Sequence, residues 1–216
     1  MIWHHLKQTA CLPDNCGCEL IHLDAWIRQP VNFWSSIVYW LVGIYLFKFT
    51  KTFHEKLWAS LCIVLGFASH MGHASFTQLF MALDFASIIT LMLFPVVMHP
   101  GYLRAKWKSV IAIGLSYGVI ILIMFFLGKI PKIALTLLIF SIVLFYHFKY
   151  LRSWLNSSYF KKSLGLLILG FFFFILDENK IFCSAESLFQ LHSVWHLLTA
   201  FSLYFYGRWI FLAGRW

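Results

Sequence analysis

His192 and His196 stand four residues apart in the run Leu191-His192-Ser193-Val194-Trp195-His196. On a helix that spacing stacks two side chains on one face, so both imidazoles can reach a single ion. Helix-borne zinc sites use the same geometry. Ser69 and His73 share the spacing in an earlier apolar stretch, and Asp84 follows in the next one. Two histidines among ten carry little weight alone. Their meaning depends on whether a third ligand and a carboxylate are brought to the same place.

The elements that would bring them there are membrane spans. The chain has 216 residues, 61% of them hydrophobic and 12% charged, against roughly 45–50% and about 25% in ordinary soluble domains. Apolar runs of near-spanning length recur at residues 31–47, 57–73, 75–98, 110–127, 133–148, 163–176 and 189–212. They imply an all-α integral membrane bundle of seven transmembrane helices. Residues 1–30 form a polar, His-rich N-terminal segment without the apolar core of a signal peptide. Residues 31–216 form one membrane domain, with no internal repeat.

The net charge of +9 would suggest nucleic acid in a soluble protein. Here the basic residues sit in short loops between spans, where the positive-inside bias accounts for them and no nucleic-acid partner is needed. If the N-terminus is non-cytoplasmic, the outer side keeps only Lys7, Arg28, Lys129, Lys132 and Lys180. All other basic residues of the 17 fall inside, so the C-terminus is cytoplasmic. Cys11, Cys16, Cys18 and Cys183 then lie on the outer side, where disulfides persist. Zinc binding by Cys16 and Cys18 competes with that reading, but their one-residue spacing suits it poorly. Cys62, inside a span, serves as a small apolar residue.

Ionisable side chains within a span cost roughly 2.5–3.5 kcal/mol on insertion scales and mark sites by default. Asp84 is the only carboxylate so placed. Ser69, His73, His192 and His196 all sit toward the outer ends of their spans, and the short outer turn between the second and third spans holds His73 and Asp84 at neighbouring depths. Three neutral imidazoles with an open fourth position make a catalytic zinc arrangement. Such a metal polarises a carbonyl and lowers the pKa of water. Asp84 suits the role of proton carrier, with direct ligation as the alternative. Ser69 could serve an oxyanion or bond its own helix backbone. His70, offset from that face, belongs to packing or to a supporting shell, while His54, His99 and His147 fall at the inner side. The phenylalanines, including Phe171–Phe174, read as lipid-facing or core packing. Spans four to six offer too few polar residues for a transport path, and the histidines are poorly disposed for haem.

In order and spacing, Ser69-x-x-x-His73, Asp84 and His192-x-x-x-His196 resemble the signature of the seven-helix CREST hydrolase superfamily, which includes the alkaline ceramidases and the progestin and adiponectin receptors. Asp177 followed by Cys183, the run from His192 to Leu198, Cys18-Glu19 and Asn32-Phe33-Trp34-Ser35 look most like the alkaline ceramidase branch. The likeness covers nearly the whole chain from Cys18. It implies an intramembrane zinc amidase that cleaves ceramide, or a ceramide-like lipid, to a sphingoid base and a fatty acid. His73, His192 and His196 would bind the zinc, Asp84 would deprotonate water and Ser69 would assist at the oxyanion. A receptor-like member with little turnover is the alternative within the superfamily.

The resemblance also implies a disulfide between Cys18 and Cys183, which leaves Cys11 and Cys16 as a second pair. Eukaryotic members carry a calcium-binding acidic N-terminal loop. Glu19 matches it, and Asp14 and Asp24 could add oxygens. However, Cys16-Gly17 replace an acidic-aromatic pair, and Asn32 stands where a glutamate would. These departures suggest a bacterial or otherwise divergent member, in a bacterial inner membrane or an ER/Golgi membrane.

Overall fold

The computed structural model describes residues 2–9, 12, 17–98, 106–127, 129–150 and 157–213. Among the described residues the chain is helical, with one isolated antiparallel bridge between Gln8 and Thr77. After a short 3-10 turn, Ile2–His5, come α1 (Pro30–Ser35), α2 (Ile37–Phe47), α3 (Phe53–Ser75) and α4 (Gln78–Val97). These are followed by α5 (Lys106–Phe126), α6 (Lys129–Tyr150), α7 (Ser158–Glu178) and α8 (Leu191–Ala213). Among the described residues five segments are long and apolar enough to cross a membrane: the joined α1–α2 stretch, α3, α4, α5 and α7. The apolar stretch of α6 is shorter, at Ala134–Lys149.

Local chemistry explains the helix ends. Pro30 opens α1 at the position where its missing N–H costs nothing. Gln29 supplies no side-chain cap. Instead the Glu19 carboxylate reaches across and accepts from the N–H groups of Val31 (2.7 Å) and Asn32 (2.9 Å). It thus satisfies two orphan donors at the positive end of the helix dipole. The expected first span, 31–47, is broken at Ser36. There Ser35 Oγ donates to the Asn32 carbonyl (3.0 Å) and Ser36 Oγ to that of Phe33 (2.7 Å), a back-bonding habit that bends helices.

Helix α3 starts at Phe53 rather than 57, because Thr52 and Glu55 close a capping box. It ends at Ser75 and is capped by Phe76, whose φ of 50° turns the chain directly into α4. That tight turn makes α3 and α4 the expected hairpin.

Helix α3 packs against α1, α2, α4 and α8, and α7 lies along α8, while α5 and α6 pack on α4. In lipid these contacts gain little from the hydrophobic effect and depend on close van der Waals fit and interhelical hydrogen bonds. Gly43 of α2 shows the fit: a Cβ there would come within 2.8 Å of the Ala59 carbonyl of α3. The main core lies in the half away from the N-terminal segment, around Tyr39, Leu46, Trp58, Leu65, Phe94 and Trp209. Over the opposite end the N-terminal segment is tied down. A disulfide joins Cys18 to Cys183, with Cα atoms 5.5 Å apart. Leu20 N–H donates to the Ala185 carbonyl (2.9 Å), and Arg28 and Gln29 donate backbone bonds to Ala74 and His73 at the end of α3. Cys11 and Cys16 lie outside the described residues.

Candidate metal centre

Helix α8 begins where Gln190 gathers the preceding loop: its side-chain N–H groups donate to the carbonyls of Ser184 (3.1 Å) and Ser187 (2.7 Å). Ser193 Oγ in turn donates to the Gln190 carbonyl. This fixes the first turn of α8, so that His192 and His196 face the end of α3. The rings of His73, His192 and His196 form a near-equilateral triangle. Centroids are 5.0 Å apart for His73–His192 and His73–His196, and 4.7 Å for His192–His196. One nitrogen from each ring lies within 4.8 Å of the other two, so the buried cluster could hold a metal ion.

The partners of the opposite ring nitrogens decide what the cluster offers. Gln29 Oε1, which can only accept, sits 2.9 Å from His73 Nδ1. The orientation of that amide is fixed by Asn32 Nδ2 donating to Oε1 and by Gln29 Nε2 donating to the Glu19 carbonyl. His73 therefore carries its proton on Nδ1 and keeps a lone pair on Nε2, a buried atom without a hydrogen-bond partner. His196 Nδ1 lies 2.8 Å from Ser35 Oγ. That hydroxyl spends its own proton on the Asn32 carbonyl, so it accepts from His196. His192 Nδ1 faces Asp177 Oδ2 at 3.7 Å. Two of the three rings thus meet an acceptor at Nδ1 and keep Nε2 for a cation, and the third has a carboxylate near its Nδ1, the usual kind of shell around metal-binding histidines. The orphaned His73 Nε2 and this all-imidazole donor set fit a borderline metal such as zinc.

Asp84 reaches the same region from α4. It is buried, and its Oδ1 has no hydrogen-bond partner. Ser69, one turn before His73, faces that carboxyl, and its Oγ is likewise buried. A cavity of about 530 Å³ opens beside them, with His73, His192, Asp84 and Tyr39 in its wall. It continues past Leu65, Leu144, Leu164 and Phe171 to His147 and Tyr206. Between His192 and Tyr206 the α8 axis rises about 21 Å at 1.5 Å per residue. The site is therefore a polar end on a long, mostly apolar chamber.

Other expected residues fall elsewhere. His70 turns away, stacking on Trp40 with centroids 4.8 Å apart and hydrogen-bonding Ser36. Both Glu19 oxygens are engaged in capping α1. Burial pushes its carboxyl above the ordinary range, the Asn32 and Val31 amides pull it down, and the Asp177 charge adds to the rise. Asp24 is exposed, and neither it nor Glu19 joins a cluster of ligating atoms among the described residues. Asp14 and His99 lie outside the described residues. His54 bonds Ser109 (2.9 Å), and His147 bonds Tyr206 (2.6 Å).

That Gln29, Ser35 and Asp177 stand beside the three rings is what sequence reasoning missed, although Ser35 and Asp177 entered it through the resemblance. Ser35 and Gln29 look like ordinary helix-start residues. Only Asp177, a carboxylate at the end of an apolar run near Cys183, carried a usable signal. No protein-family model matches this chain, and no curated protein matches it.

Proposed function

We propose that this chain is a seven-span membrane amidase of the alkaline ceramidase type, hydrolysing ceramide or a ceramide-like lipid to a sphingoid base and a fatty acid. In this reading α6 and α8 also cross the bilayer, the N-terminus is non-cytoplasmic and the C-terminus cytoplasmic. The observation that carries the proposal is the convergence of three imidazoles and the buried, unpaired Asp84 carboxyl at one end of an apolar chamber.

His73, His192 and His196 would hold zinc. When bound, it would polarise the amide carbonyl and bring water toward neutral acidity. Asp84 takes the proton from water and returns it to the leaving amine, so that one water is consumed for each amide bond broken. Ser69 donates a hydrogen bond to the carbonyl oxygen as negative charge develops there. Gln29, Ser35 and Asp177 keep the three rings in one tautomer, and the apolar wall accommodates hydrocarbon and excludes bulk water.

The test is release of labelled fatty acid from ceramide by the full chain reconstituted in nanodiscs. His192→Ala should abolish it and Asp84→Asn should reduce it steeply, while the protein still inserts. Undiminished release by His192→Ala would overturn the proposal. Binding of ceramide without product would instead favour a receptor of the kind found among the progestin and adiponectin receptors.

A further inference from the structure

The loop 179–190, between α7 and α8, holds large apolar side chains away from the protein. Phe182 is 88%, Leu188 90% and Phe189 69% exposed. It is not a slack connection. Cys183 is bonded to Cys18, Leu20 N–H holds the Ala185 carbonyl, and Gln190 bonds the Ser184 and Ser187 carbonyls from beneath. Phe182 is also held at a φ of 58°, a left-handed conformation that a bulky residue rarely adopts. A backbone constrained in this way to present three large apolar groups outward needs a partner for them.

The neighbouring surface identifies that partner. Ile175 and Phe172 on α7, a helix apolar enough to cross a membrane, face outward, as do Leu197 and Phe201 on α8. Ile181 continues the same apolar surface into the loop. The loop starts where α7 ends, at the level where a span meets the headgroups. We infer that loop 179–190 is a rigid interfacial anchor. It buries Phe182, Leu188 and Phe189 at the headgroup–acyl boundary of the leaflet nearest the histidine cluster. The occupant of this surface is lipid. The anchor would hold the first turn of α8, and with it His192, at a fixed depth. The inference requires only that the chain sits in a membrane, not that it is an amidase.

The test places trifluoromethyl-phenylalanine singly at positions 182 and 189 in the full chain, reconstituted in phosphatidylcholine nanodiscs. Fluorine relaxation is measured with dissolved oxygen, which concentrates in lipid, and with a nickel chelate, which stays in water. The same label at Phe172 serves as the lipid reference and at Glu186 as the water reference. Oxygen should relax both loop labels more than nickel does, with a ratio near that at Phe172. A ratio like that at Glu186 would overturn the anchor. So would weak relaxation by both agents, which would mean a protein cover such as a second copy of the chain.

Discussion

Asp177 Oδ2 stands between two parts of the molecule. It lies 3.7 Å from His192 Nδ1 and accepts from the Cys18 amide at 3.4 Å. Gly17 makes room for it: at a φ of 91°, a Cβ there would come within 2.8 Å of the same oxygen. The end of α7, the disulfide-bound N-terminal loop and one ring of the histidine cluster therefore meet at one carboxylate. Supporting partners of this kind typically change metal affinity by about 10–100-fold. Asp177→Asn should weaken metal binding by that order, measured by competition with a chromogenic chelator, without preventing insertion.

The Gln29 amide joins the Glu19 carbonyl, the Asn32 side chain and His73. Gln29→Leu leaves buried donors on His73 and Asn32 unpaired, at a cost of about 1–3 kcal/mol. It should lower the thermal midpoint in detergent and reduce metal content. Gln29→Glu keeps the acceptor facing His73 and should retain more metal than Gln29→Leu, as read by elemental analysis.

Removing Asp84 separates binding from turnover. Asp84→Asn preserves shape and leaves all three histidines in place. Metal content should match the parent, while amide hydrolysis falls by about 10²–10⁴-fold, the usual worth of a positioned acid–base group. Parallel loss of metal would make Asp84 a ligand instead.

Two glycines offer a paired test of the helix packing. Gly43→Ala places a methyl group against the Ala59 carbonyl and the Ile63 side chain. It should destabilise the fold by about 1–3 kcal/mol. A Cβ at Gly118 meets nothing within 4 Å, so Gly118→Ala should be neutral or slightly stabilising. Unfolding by graded denaturant in mixed micelles compares the two.

The histidines and Asp84 were legible because each breaks a local rule: ionisable groups recur at helical spacing inside stretches that should have none. The hairpin of α3 and α4 followed from its short connection. Their supporting shell was not legible. Ser35 meets His196 and Gln29 meets His73 only through the fold, and neither residue is unusual where it stands in the sequence. The break at Ser36 was hidden for a related reason, since apolar periodicity runs through it and only the hydroxyl back-bonds mark it. Glu19 suggested an oxygen ligand for calcium, whereas both its oxygens cap a helix that has no cap of its own. The start of α3 was written in Thr52-Phe53-His54-Glu55, a capping-box pattern that hydropathy alone passes over.

The most direct measurement of the central claim is X-ray absorption at the zinc edge of the purified full chain, with metal stoichiometry determined on the same sample. The account predicts a zinc site dominated by imidazole nitrogen at about 2.0–2.1 Å, lost together in His73→Ala, His192→Ala and His196→Ala. Sulfur scattering near ~2.3 Å, or zinc that persists in all three variants, would contradict it.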